Sequence, residues 1–275
     1  MTDQAPSHQG YLGRILRVAR GRLGRQTLVT LFIRVGALGF ALLVAVVLAR
    51  MLGTEGYGAY SLAFAWVQIL LIPGLLGMDS LMVRETARLQ QSEPERSRSY
   101  ALWSTKAVLL TSLATAIVVG GLIVALHASQ RPEVVLAQTV ALVLLPMMAV
   151  TGTWQAILRA IDRMYIGQVP ESIVVPVLIL AGAAAVGASS IDLTPAEAIG
   201  LRIAGISVAV LILGWVLFRA LPAGSVKRLA REESRSLLRS SFALGLIGAV
   251  FLLVTRTDVV MLGILSDLES VGSYT

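Results

Sequence analysis

Long apolar runs alternate with short, arginine-rich connections along the whole chain, and no stretch shows the period-two alternation of a half-buried strand. The runs predict helices at 27–52, 57–78, 104–127, 134–156, 168–188, 197–219 and 241–265. At 1.5 Å per residue, about 20 residues cross a hydrocarbon core ~30 Å thick. The fold class that follows is all-α: a polytopic membrane protein with about seven transmembrane helices. Ahead of the first run, Leu12, Ile15, Leu16, Ala19 and Leu23 recur at helical spacing, with Arg14, Arg17, Arg22 and Arg25 on other faces. Such a segment is either a helix lying among anionic headgroups or an ordinary basic flank that sets topology. Residues 225–239 have the same character.

The pattern is used twice. At an offset of 214 residues, Arg14, Arg17, Leu23 and Arg25 meet Arg228, Arg231, Leu237 and Arg239; Ile33, Leu38 and Val46 meet Ile247, Leu252 and Val260; Glu55, Gly58 and Tyr60 meet Glu269, Gly272 and Tyr274. Each copy gives a basic amphipathic segment, a long apolar helix and the same turn. The expected organisation is therefore a cytoplasmic tail with a basic interfacial helix at 1–26 and a six-helix lobe at 27–221. A basic linker follows at 222–240, then the first helix and outer turn of a second lobe at 241–275. Six crossings between the copies make the repeat parallel rather than inverted, and the chain reads as a piece of a two-lobed protein.

Composition agrees: 56% of residues are hydrophobic and 14% charged, where a soluble domain has about a quarter charged. Mean hydropathy is +0.79. With no cysteine, disulfides and thiolate chemistry are excluded. The net charge of +7 raises nucleic acid as a partner, but placement argues otherwise. With the N-terminus inside, cytoplasmic segments hold 18 of the 23 cations, and the far side holds Arg50, Arg131 and Arg202. Arg34 and Arg256 fall inside predicted spans. The first 26 residues are too long and polar for a secretory leader, so the first run reads as an uncleaved membrane helix.

Charges inside a bilayer cost about 2.5 to 3.5 kcal/mol at the centre of a span, so they are the first candidates for function. Arg34 sits about seven residues into its helix, roughly 10 Å deep, where it either snorkels to the headgroups or faces a cavity. Arg256 and Asp258 stand two residues apart, about 200° around a helix, and so do not pair with each other. Either one faces a cavity or both are solvated at a tilted outer end. Asp79 follows Pro73, Gly74 and Gly77: an ionisable group beside a hinge, or a solvated carboxylate after a proline kink. Pro146 and Pro176 mark further bends, and Gly36, Gly39, Gly120, Gly121, Gly182 and Gly187 suit close helix packing. The histidines, His8 and His127, cannot form a metal pair at helical spacing, and no metal or cofactor is expected. Gly53 to Gly58 lacks the lysine of a phosphate loop and reads as a tight outer turn.

The run Leu48-Ala49-Arg50-Met51-Leu52-Gly53-Thr54-Glu55-Gly56-Tyr57-Gly58-Ala59-Tyr60 resembles the signature of polysaccharide-transport flippases of the multidrug/oligosaccharidyl-lipid/polysaccharide exporter superfamily. Gly77-Met78-Asp79-Ser80 through Arg84 looks like the end of their second helix, and Arg256-Thr257-Asp258 through Gly272-Ser273-Tyr274 like the start of their second lobe. The resemblance spans the chain from residue 12. It implies two six-helix bundles around a cavity that opens alternately to each side of a bacterial cytoplasmic membrane. The cargo it implies is a lipid-linked oligosaccharide on polyprenyl pyrophosphate, with polysaccharide-assembly proteins as further partners. On that reading Arg34 and Arg256 engage the anionic head, and Asp79 or Asp258 takes part in ion coupling. The alternatives are a drug or cation antiporter, which needs an acidic cluster beyond the peripheral Asp79 and Glu171; a membrane-embedded glycosyltransferase or acyltransferase, which needs a sizeable polar loop; and a non-transporting scaffold for polymer assembly.

Overall fold

The computed structural model describes residues 22–126, 132–188, 193–224, 226 and 228–246. The first element, α1 (Arg22–Leu75), is a single helical stretch with one non-helical residue inside it, Gly53, at φ 71° and ψ 175°. Fifty-four residues of straight helix would reach about 80 Å, more than twice a hydrocarbon core. Gly53 adopts without strain a conformation closed to other residues and divides α1 into two limbs, each long enough to cross once. The second limb runs beside the start of α8 (Pro195–Ala220): Gly56 lies near Pro195, and Tyr60 touches Arg202.

The remaining elements are α2 (Met78–Ser92), α3 (Ser97–Leu126), α4 (Pro132–Ala141), α5 (Leu144–Ala160), α6 (Met164–Val169), a π-helical turn (Pro170–Val174), α7 (Val175–Ala188), α8, and α9 over 231–246. No strand occurs among the described residues. Five segments are long and apolar enough to cross a membrane: Arg34–Leu75, Pro94–Ile123, Val134–Ala160, Met164–Ala188 and Pro195–Ala220. The first is twice the needed length and is broken at Gly53, so the chain is a polytopic all-α membrane protein whose described segments have the length for six crossings. The expected seventh helix at 241–265 is described only to residue 246, and there it is continuous with 231–240. The same continuity holds at the other basic flank, where α1 is already helical at Arg22.

Prolines account for the interruptions. The predicted helix 134–156 is two helices, and at the break Leu142, Val143 and Leu145 bond to the third residue back instead of the fourth. Pro146, four residues after Leu142, has no N–H to offer the Leu142 carbonyl. Pro170 opens the π turn in the same way, with the Val175 N–H reaching back five residues to the Pro170 carbonyl. Between 79 and 103, where the sequence suggests only a basic connection, the structure has α2, whose Met78, Leu81, Met82, Glu85, Thr86 and Leu89 form one buried face. That face packs chiefly on α5. Buried Glu85 is held by Arg84 at 3.1 Å and Arg88 at 2.9 Å.

The core is built from Leu48, Tyr60, Val67, Leu81, Leu145, Ile157, Ile179, Ile206 and Leu213, drawn from every layer of the bundle. Outside it, Leu38, Leu42, Leu110, Ile117, Leu211 and Trp215 are exposed, an apolar exterior far beyond what water tolerates and suited to lipid. Of the glycines expected to allow close packing, Gly120, Gly182 and Gly187 do so, against Leu142, Leu201 and Met51. A Cβ on Gly36, Gly39 or Gly121 would meet nothing within 4 Å, so no described neighbour demands glycine there.

Candidate functional site

Two places in the bundle hold chemistry that packing alone does not require. The first is at the end that carries most of the arginines. Here α1 stops at Leu75, and Leu76 (φ 47°) and Gly77 (φ 73°, ψ 17°) take two successive left-handed steps into α2. The Gly74 carbonyl, orphaned by the helix end, accepts from Thr111 Oγ1 at 2.6 Å. Helix α9 crosses directly over this turn. A Cβ on Gly77 would lie 2.3 Å from the Gly245 nitrogen, and one on Gly245 would lie 2.7 Å from the Leu76 carbonyl carbon. Backbone therefore meets backbone, and Ser241 Oγ closes the contact by donating to the Leu76 carbonyl at 2.7 Å.

In the first turn of α9 stands Glu233. Arg96 Nη2 donates to both its oxygens, at 2.7 and 2.9 Å, and the Tyr100 hydroxyl donates to it as well. Arg96 also donates to Glu93 at 3.0 Å and lies over the Tyr100 ring. Gly224 tucks against the Glu95 backbone, where a Cβ would meet the carbonyl oxygen at 2.6 Å. Gly224 and residues 231–246 are thus held across the bundle's basic end by an ion pair, the Tyr100 and Ser241 hydroxyls, two glycine crossings and the buried Leu237.

The second place is toward the opposite end. Buried Ala198, Ile199, Gly205, Ile206, Ala209 and Leu213 trace the inward face of α8, and Arg202 falls on the same stripe, one turn after Ala198 and one before Ile206. A position that helical periodicity reserves for the core carries a permanent cation. Seven residues separate it from Pro195, and seven separate Tyr60 from Gly53, so both sit about 10 Å below the bundle end. Arg202 Nη1 donates to the Tyr60 hydroxyl at 2.9 Å, and its guanidinium lies over the Phe64 ring, 3.7 Å from the centroid. Its Nε is buried with no hydrogen-bond partner. Tyr57 stacks on Tyr60, fixing the hydroxyl's position.

Between these places the bundle holds further polar contacts. Glu171, in the π turn and inside a membrane-spanning segment, accepts from Gln155 Nε2 of α5. Trp154 Nε1 donates to Thr105 Oγ1 at 2.8 Å. A crevice of about 140 Å³ opens between the second limb of α1, α3 and α4, lined by Ala63, Trp66, Leu70, Val119, Leu122 and Gln138.

The residues singled out from sequence fall apart in space. Arg34 is exposed at the start of the first membrane-spanning segment, 19 residues before Gly53, or about 28 Å, close to one full hydrocarbon thickness. Asp79 occupies the first turn of α2, next to the Gly77 cap, where the helix dipole favours a carboxylate. No contact joins it to Arg34 among the described residues, and Arg256 and Asp258 lie outside them. Sequence reasoning missed Arg202, counting it with the far-side cations; its signal was present in the 198, 202, 206, 209 spacing. Glu171 was set aside as peripheral, although Pro170 beside it marks a helix irregularity. Glu233, in the basic segment 222–240, is the anchor of the basic-end contact, and nothing in its local sequence reveals that.

A family model described as polysaccharide biosynthesis protein matches residues 23–275. No curated protein and no solved structure matches.

Proposed function

The chain belongs to the polysaccharide biosynthesis protein family, and from that premise we propose that it is a transporter that flips polyprenyl-pyrophosphate-linked oligosaccharide across a bacterial cytoplasmic membrane by alternating access. The observation that carries the transport reading is the joint at the basic end. There α9 bears on Leu76 and Gly77 through backbone, with Glu233 held by Arg96 and Tyr100. The joint combines a glycine pivot and a polar latch with one buried leucine, Leu237, and in this reading it is where two bodies rock against each other. In this reading 27–221 is one lobe, and α9 opens a second lobe that faces it across the substrate cavity.

The chemistry of the cargo suits the cations available. A pyrophosphate leaving water needs permanent, multidentate donors, and arginine supplies them. Arg34, exposed at the level of the basic-end headgroups and beside the open flank of Gly36 and Gly39, is suited to collect the head; Arg256 is proposed to hold it further along. Asp79, at the hinge turn, and Asp258 are proposed to couple rocking to an ion gradient.

The test is leaflet exchange of a fluorescent polyprenyl-linked oligosaccharide in vesicles containing the protein. Protein-dependent loss of dye from the outer leaflet, abolished by Arg34→Ala and Arg256→Ala together, is the expected result. Exchange no faster than in empty vesicles refutes transport and leaves the assembly scaffold.

A further inference from the structure

We propose that Arg202, Tyr60 and Phe64 form a binding site for a phosphate group inside the bundle, in the half opposite the basic end. This inference does not rest on the transport reading, because it concerns binding and not movement.

Four observations converge on it. The arginine lies half-buried on the inward face of α8, in line with Ala198, Ile206 and Ala209. A cation within a membrane-spanning segment is costly and persists when it has a job. Its guanidinium offers five N–H donors in a planar fork, yet only one, to the Tyr60 hydroxyl, has a described protein acceptor, and Nε is enclosed with none. None of the four described ion pairs involves it. The aromatic side chains hold the fork in place: Phe64 covers one face, and Tyr60, braced by Tyr57, fixes one edge. What this arrangement lacks is an anion with several acceptor oxygens. Phosphate supplies them, and an arginine fork matches its geometry.

The bland reading is a staple, in which Arg202 merely ties α8 to the second limb of α1. The two readings differ in what an apolar replacement does. A staple loses stability when cut. A ligand site built around a half-buried arginine keeps or gains stability when the charge becomes a methionine of similar reach.

The experiment uses the whole chain in uncharged detergent. Binding of dodecyl phosphate, of dodecanol and of inorganic phosphate is titrated, and thermal unfolding is followed in parallel. The expected result is that the wild-type chain binds the alkyl phosphate and not the alcohol. Arg202→Met should weaken that binding about tenfold or more without lowering the unfolding temperature. If inorganic phosphate competes, the site takes the free ion as well; if it does not, the site takes a lipid headgroup. Equal binding of phosphate and alcohol overturns the proposal. So does undiminished binding by Arg202→Met, with or without loss of stability. Should Arg202→Met fail to fold, Arg202→Lys carries the test. Lysine keeps the charge and loses the fork, so several-fold weaker binding supports the site and unchanged binding overturns it.

Discussion

Placing a side chain at Gly245 should pry α9 off the bundle. A valine Cβ there would begin 2.7 Å from the Leu76 carbonyl carbon, 2.8 Å from the Gly77 nitrogen and 2.9 Å from the Leu76 oxygen. All three are backbone atoms, so no rotamer change relieves the overlap. Reaching a carbon contact distance of about 3.5 Å requires the helix to lift by close to 1 Å. That lift stretches the Ser241 hydroxyl bond, now 2.7 Å, beyond useful hydrogen-bond range. Overpacking of this kind costs about 1 to 3 kcal/mol, which displaces a two-state contact by roughly 5- to 150-fold. The chain has no cysteine, so spin labels attached at Ser80→Cys and Leu238→Cys report the separation without background. Gly245→Val should lengthen and broaden the distance distribution, and Gly36→Ala, whose Cβ meets nothing, should leave it unchanged. An unaltered distribution in Gly245→Val would refute the claim that this crossing is tight and held by backbone contact.

Glu233→Gln removes the charge that Arg96 and Tyr100 converge on. Because Arg96 is 43% and Glu233 29% exposed, solvent screens the pair and the expected loss is about 1 kcal/mol, shrinking as salt rises; denaturant unfolding at two ionic strengths checks it. Thr194→Ala cuts the reciprocal cap in which Glu197 N–H reaches Thr194 Oγ1 and the Thr194 N–H reaches Glu197. A cost of about 1 kcal/mol should appear as faster amide exchange confined to the first turn of α8. Gln155→Leu leaves Glu171 without its described donor, and a cost of about 1 to 3 kcal/mol is expected in thermal unfolding. Gly182→Ala should cost less than Gly245→Val, even though its Cβ approaches Leu201 at 2.5 Å, because the end of a leucine side chain moves and backbone does not. Comparing the two unfolding midpoints tests that ordering.

Hydrophobic runs fixed the helices from sequence because a bilayer imposes length as well as periodicity: each segment between 134 and 220 lies within a few residues of its expected place. Breaks inside those runs were legible only where proline announced them, as at Pro146, and the turn expected over Gly53 to Gly58 is Gly53 alone, with residues 54–58 already helical. The amphipathic α2 was hidden by its own charge. Arg84, Arg88 and Glu85 mask the spacing of Met78, Leu81, Met82 and Leu89, and a buried glutamate on that face breaks the expected pattern. Single-residue depth within a span was the weakest inference. Arg34 and Arg202 were both visible as cations, but whether a side chain looks inward depends on which face of its helix is covered. For Arg202 that is set by the packing of α8 against its neighbour α7 and against α1, more than a hundred positions away. The contact between Glu233 and Arg96 has the same origin.

Gly53 also decides which side of the membrane every later segment reaches. A membrane helix inherits its direction from the one before it, so the whole order of sides after residue 53 depends on one reversal. In the transport reading proposed above that reversal falls at Gly53, the one non-helical residue of α1, flanked by Arg50, Thr54 and Glu55. On that reading the two limbs of α1 enter the membrane as a hairpin with few polar groups to carry across. A side chain at Gly53 that straightened the hairpin would not merely weaken the fold. It would invite a one-crossing insertion and turn the parity of α3 through α8 upside down, an error of biogenesis that no later packing contact is placed to correct.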